Sequence, residues 1–336
     1  MKKLDLIREN LYLGDICAAA EVLEKGSSEI SHLLTVFHCP YMTELYDKWR
    51  NAKLNSKVIK EVYVGGDQEE SLQEGREFAS ESALPSGSLL YSIEQTGKAL
   101  KFTRMVVFAH DKEWENLLDF FDLCLDFIDA GRKDKGVLVH CFAGQSRRRF
   151  DITHASPNPG FLKQLDLFER MNFKVDRSSS IYKHFRLKAL GYLYCKDNKF
   201  DRLKLRADPG LLNESCGSMY QCKKCRRVLL CQEQVIEHTP GEADSEFDDM
   251  FKNMFGEVNK NPGEVNQCTS IFVEPLSWMN EAMEDDVSEG KLLCPKCQAK
   301  VGSFDWSGSY CSCGSKIVPA FQLQMSSVDV ITEEEE

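Results

Sequence analysis

GVLVHCFAGQSR, residues 136–147, sets the fold of the first half of the chain. GVLVH is a short β-branched run opened by a glycine, the composition of a strand buried on both faces of a parallel sheet. The strand leads directly into a loop with Cys141 and Arg147 at the ends of a C-x5-R spacing, with His140 before the cysteine and Gly144 inside. A bare C-x5-R is weak, and its place after a strand gives it weight. Backbone N–H groups converging within such a loop lower a thiol's pKa, so that a nucleophilic thiolate forms. Here those groups belong to Phe142, Ala143, Gly144, Gln145 and Ser146, which would also cradle phosphate oxygens. Arg147 adds a planar fork that fits a phosphoryl group in a way that lysine cannot.

Upstream, NLLDFFDLCLDFIDAG (residues 116–131) places Leu117, Phe121, Cys124 and Ile128 at helical spacing, with Asp119, Asp122, Asp126 and Asp129 on the solvent side. RMVVFA before it and HLLTVF further upstream read as buried strands. Strand, helix and strand in this order predict an α/β fold. The polar residues between about 49 and 97 read as an exposed insertion. The leaving oxygen of a phosphate ester needs a proton, which a carboxylic acid on a neighbouring loop can supply. Asp111, just after RMVVFA, is the first choice, and Glu113 and Glu115 are alternatives.

The chain of 336 residues exceeds the usual size of a single core, so two domains are expected. A formal net charge of −11 argues against a basic surface spread over the whole protein, and no sequence-specific nucleic-acid binding is expected. No apolar run is long enough for a signal peptide or a membrane span, which predicts a soluble protein of the cytoplasm and nucleus. In a reducing compartment, 14 cysteines point to metal and catalytic roles rather than a disulfide framework.

Eight of those cysteines fall between Cys222 and Cys313. Cys222 and Cys225 form C-x2-C, Cys294 and Cys297 form C-P-K-C, and Cys311 and Cys313 form C-S-C. Such pairs place two ligands on one tetrahedral ion, and a small module can draw its stability from that metal. Two structural zinc ions are expected, one held by Cys294, Cys297, Cys311 and Cys313, the other by Cys222 and Cys225 with His238 and Cys268. With all eight positions filled, no open site remains for a catalytic metal. Cys17, Cys39 and Cys124 read as core thiols, and Cys231 as a spare.

NLYLGDICAA (residues 10–19), DKEWENLL (111–118), VLVHCFAGQSR (137–147), SPNPGFLKQLDLFERM (156–171) and the C-terminal cysteine pattern together resemble the YVH1-like dual-specificity phosphatases. The resemblance covers most of the chain. It implies Cys141 as nucleophile, Arg147 as phosphate binder and Asp111 as general acid, since the aspartate five residues before Asn116 matches the family position. It also implies phosphotyrosine and phosphoserine or phosphothreonine substrates without a catalytic metal, and a role in large ribosomal subunit maturation, on pre-ribosomal particles, as the alternative to enzymatic function. The organisation expected is a phosphatase sheet flanked by helices over residues 1–196, a linker over 197–218, a small zinc-stabilised domain over 219–330 and an acidic tail over 331–336.

Two departures from the family stand out. Arg148 occupies the position after the loop arginine, where the family has serine or threonine. Only Arg148 to Ala155 then precede SPNPGFL, roughly thirty residues fewer than the family's two helices would need, and eight residues form at most about two helical turns.

Overall fold

The computed structural model describes residues 4–36, 56–63, 89–141, 157–197, 205–211, 217–240, 267–283 and 287–331. The chain divides into two compact units, Met1–Phe168 and Glu169–Glu336.

The first unit is built on a seven-stranded sheet. Its strands are β1 (Asp5–Arg8), β2 (Leu11–Asp15), β3 (His32–Val36), β4 (Ser56–Tyr63), β5 (Leu89–Thr96), β6 (Phe102–Val107) and β7 (Val137–Cys141), in the spatial order β1-β2-β7-β3-β6-β5-β4. The strands β2, β7, β3 and β6 run parallel, while β1, β5 and β4 join the edges antiparallel. Helix α1 (Ile16–Lys25) covers one face and α2 (Leu118–Asp134) the other. Alternation along the strands divides the core between them: Leu33, Val106 and Leu138 pack with Ile16, Ala19 and Leu23 of α1, whereas Leu34, Met105 and Val137 pack with Phe120 of α2. An interior parallel strand therefore shows two apolar faces, and GVLVH reads as a continuous apolar run for that reason.

On α2 the stripe against the sheet includes Leu117, Phe120, Cys124, Phe127 and Ile128. Phe121 turns instead towards α3 (Pro159–Arg170), where its ring meets that of Phe168 edge-on, with centroids 5.0 Å apart. Burial pushes the Cys124 thiol up to about 12, the behaviour of an inert core thiol.

The polar segment of residues 49–97 differs from its reading as an exposed insertion, because its described parts are strands β4 and β5 of the main sheet. Strand β5 buries Ser92, Glu94 and Thr96, the polar half of its alternation. The cause is Arg104 on the neighbouring strand, 1% exposed, whose Nη2 donates to Glu94 Oε2 at 2.7 Å. The Ser56 hydroxyl donates to the same carboxylate. Paired charges can occupy a buried face that unpaired ones cannot.

Among its described residues the second unit holds helix α4 (Ser180–Asp197) and ten short strands. Strand β8 (Met219–Cys222) pairs with β9 (Val228–Cys231) on one side and β17 (Val328–Ile331) on the other. A five-stranded antiparallel sheet runs β10 (Val235–Ile236), β11 (Ser270–Val273), β16 (Ala320–Gln324), β13 (Lys300–Asp305) and β12 (Glu289–Leu293) in spatial order. The unit also has a separate two-stranded hairpin of β14 (Ser309–Tyr310) and β15 (Lys316–Ile317). Phe272, Phe304, Trp306, Phe321 and Leu323 form its core. Leu187 and Tyr194 of α4 belong to that core, and the Tyr194 ring stacks on Trp306 at 4.2 Å. Glu274, 1% exposed, receives Arg186 of α4 at 2.8 Å and Arg206 at 3.1 Å. The compact division thus falls ahead of the boundary drawn at 196/197 from composition, because α4 carries the apolar and charged partners of the C-terminal core.

Candidate active site and metal centres

Cys141 is the last residue of β7 and lies in register with Asp15 on β2 and Val36 on β3. It therefore stands at the carboxyl edge of the parallel strands, the edge at which ligands of open α/β sheets bind. Before it, His140 is buried, with Nε2 2.7 Å from the hydroxyl of Thr35, which is also buried. This contact ties β7 to β3 one residue before Cys141. Beside it, Asp15 caps α1 by accepting from the Ala18 N–H at 2.7 Å. The expected phosphate-binding residues Phe142, Ala143, Gly144, Gln145, Ser146 and Arg147, and the short stretch Arg148 to Ala155, lie outside the described residues.

Asp111 follows β6, another parallel strand, on a loop leaving the same edge of the sheet. Its Oδ1 accepts from Asn158 Nδ2 at 3.0 Å. Of the alternatives, Glu115 pairs with His110 at 3.6 Å. The backbone of Glu113 is pressed against Gly160, where a Cβ would lie 1.9 Å from the Glu113 carbonyl oxygen. Gln164, fully buried on α3, accepts from the Leu117 N–H at 2.7 Å and donates to the Glu115 carbonyl at 2.8 Å. Asn158 and Gln164 were not singled out from sequence. Their signal is the polar pair inside PNPGFLKQ, where the glutamine falls on the apolar face of a helix.

The eight expected metal ligands converge, in a pairing that corrects the one expected from sequence. Cys222, Cys225, Cys294 and Cys297 form one group, and His238, Cys268, Cys311 and Cys313 the other, with the ligand atoms of each group within 4.8 Å of one another. The reason is topological: C-x2-C supplies half a site, and the fold decides which halves meet. Cys222 and Cys225 sit on the turn between β8 and β9, and Cys294 and Cys297 on the turn between β12 and β13. The turns are built alike, with Arg226 N–H to Cys222 carbonyl at 2.8 Å and Gln298 N–H to Cys294 carbonyl at 2.9 Å. Arg226 and Gln298 take positive φ of 63° and 57° to close them.

Across the first group, Cys222 and Cys297 sulfurs lie 3.7 Å apart, and Cys225 and Cys294 sulfurs 3.5 Å apart. Four thiolates at about 2.3 Å from a tetrahedral ion stand about 3.8 Å apart, so each group has the dimensions to hold a metal ion. In the second, His238 Nε2 is 3.4 Å from Cys268 Sγ. Burial pushes the Cys268 and Cys294 thiols upwards. Cys231, read as a spare, is instead disulfide-bonded. Among the described residues, no helix is long and apolar enough to cross a membrane.

No family model matches the chain. It is, however, 36% identical over 252 residues to the human dual specificity protein phosphatase 12, covering 67% of this chain and 73% of that protein. The tyrosine-protein phosphatase YVH1 of Saccharomyces cerevisiae is 34% identical over 259 residues, covering 62% of this chain and 71% of that one. A probable inactive dual specificity protein phosphatase-like protein of Arabidopsis thaliana is 43% identical over 111 residues, 33% of this chain and 72% of its own. The position of Cys141 at the carboxyl edge of a parallel sheet and two side-chain groups able to hold a metal ion in the C-terminal unit accompany these likenesses, and the chain belongs to the YVH1-like family of dual-specificity protein phosphatases.

Proposed function

We propose that this chain hydrolyses phosphotyrosine and phosphoserine or phosphothreonine esters of proteins through a phosphocysteine intermediate. The observation that carries the reading is the position of Cys141, at the carboxyl end of an interior parallel strand and at the start of the C-x5-R segment. In the first step the Cys141 thiolate attacks phosphorus, the bond from phosphorus to the ester oxygen breaks, and Asp111 gives its proton to the departing oxygen. Arg147 and the loop N–H groups of residues 142–146 hold the equatorial phosphate oxygens. In the second step water attacks phosphorus, Asp111 takes its proton back, and inorganic phosphate leaves the restored thiolate. A turnover assay on an aryl phosphate, comparing this chain with Cys141→Ser, tests the proposal. Equal rates would overturn it.

A second reading is a scaffold of low activity, acting through its C-terminal unit on pre-ribosomal particles. What favours it is the short stretch after Arg147 and the likeness to a relative described as probably inactive. The human alignment of 252 residues is also longer than the 67% of this chain that takes part in it, so the relative carries positions without a counterpart here. Co-sedimentation of the Cys141→Ser protein with large-subunit precursors supports this reading, and its absence from them removes it. In either case we assign zinc to both metal groups as a structural ion, because three or four sulfur ligands filling a tetrahedron select zinc and leave no position for substrate.

A further inference from the structure

Asn158 is the first residue of α3's N-terminal turn, and it makes two contacts with one amide. Its Oδ1 accepts from the Phe161 N–H at 2.9 Å, the side-chain cap of a helix start. Its Nδ2 donates to Asp111 Oδ1 at 3.0 Å. The first contact fixes which end of the amide is which. An oxygen committed to the helix N–H leaves the NH₂ group facing the carboxylate, and rotating the amide would break both bonds at once. Three residues on the same helix continue the contact with the loop: Asn158 at Asp111, Gly160 against the Glu113 backbone, and Gln164 at Glu115 and Leu117.

We infer that Asn158 is a positioning residue for Asp111, holding one carboxyl oxygen so that the other is the one presented to the departing oxygen. The inference rests on the reading of Asp111 as general acid. Holding Oδ1 as the acceptor defines Oδ2 as the oxygen that carries and delivers the proton. Without Asn158 the exposed carboxyl can rotate, and proton delivery depends on a minority of its orientations.

The variant that separates this role from helix capping is Asn158→Ser, since serine caps a helix about as well as asparagine but carries no N–H to reach Asp111. Two measurements on the full chain decide it. Hydrogen exchange at the amides of residues 111–115 is expected to quicken in Asn158→Ser while the amides of α3 keep their protection. Unchanged exchange over 111–115 overturns the inference whether or not the chain turns over substrate. Turnover is then compared on phenyl phosphate, whose leaving group needs a proton, and on an activated nitrophenyl ester, which needs it less. Asn158→Ser is expected to lose about tenfold in kcat on the phenyl ester and under about threefold on the activated one, with KM unchanged. Equal losses on both esters overturn the inference. Asp111→Asn is the control: if it too loses equally on both, the reading of Asp111 as acid fails, a result separate from the exchange measurement.

Discussion

The sulfurs of Cys225 and Cys294 meet at 3.5 Å although 69 residues separate them in the chain. The first cysteine pair thus finds the second, and His238 and Cys268, which lie between those pairs in the chain, find Cys311 and Cys313 beyond.

Interleaving predicts which double substitutions spare an ion. Cys222→Ser with Cys297→Ser should leave one zinc per chain, and Cys297→Ser with Cys311→Ser should leave none. Elemental analysis of the purified full-length variants measures this directly. The reverse pattern would restore sequential pairing. Because burial holds the Cys268 and Cys294 thiols protonated without metal, uptake of zinc should also release protons, detectable in weakly buffered solution.

Phosphatase turnover should persist without added magnesium and be lost, by at least about a thousandfold, in Cys141→Ser and in Arg147→Ala. Activity that survives Cys141→Ser but needs Mg²⁺ contradicts a thiolate route. Brief treatment with peroxide should abolish the turnover, and a thiol reductant should recover it.

The eight residues from Arg148 to Ala155 set a further expectation. A helix continuing from the phosphate loop would bring its N-terminal dipole to both thiolate and phosphate, and eight residues offer little of it. This chain should therefore be a slow phosphatase that still binds phosphate. Inserting a family-like helical segment between Arg147 and Ser156 should raise kcat/KM by at least about tenfold and raise the melting temperature. Equal values for both proteins would remove the argument.

Glu274 tests the attachment of α4. Its buried carboxylate receives two guanidinium groups, so Glu274→Leu leaves Arg186 and Arg206 without their shared anion. A loss of about 3 kcal/mol is expected in the unfolding of the C-terminal unit, followed by tryptophan fluorescence. A loss below about 0.5 kcal/mol would mark the triad as a surface contact.

His32, half-buried beside α2, has its pKa lowered by burial, with Asp134 at 4.0 Å acting in the opposite direction. The fold thus favours the neutral ring. The unfolded chain takes up its proton near pH 6.5, so the stability gained from a neutral His32 is complete above about pH 6.5 and is lost as pH falls towards the lowered native value. Melting of the first unit should drop on acidification below pH about 6.5, and the drop should shrink in His32→Asn.

Where side chains followed one period, the fold was legible. GVLVH announced its strand, and the Leu117 to Ile128 spacing announced α2. Strand β5 escaped notice because its buried face is Ser92, Glu94 and Thr96, and partners on other strands, Arg104 and Ser56, make that face tolerable. The eight candidate metal ligands were legible as a set but not in their grouping, since spacing along the chain says nothing about which turns the sheets bring together. Asn158 and Gln164 looked like ordinary helix residues because their partners, the Asp111 carboxylate and the Leu117 N–H, lie more than forty positions away.

The stacking of Tyr194 on Trp306 sets an order of events during synthesis. Tyr194 leaves the ribosome long before Trp306 is made, and Cys222 and Cys225 emerge long before Cys294 and Cys297. The nascent chain must therefore carry an apolar helix face and reactive thiols in waiting until Cys297 and Trp306 have been added. A protein so arranged has a long window in which chaperones, oxidants and competing metals can reach it, and premature termination before Cys313 would release a chain whose C-terminal half cannot close.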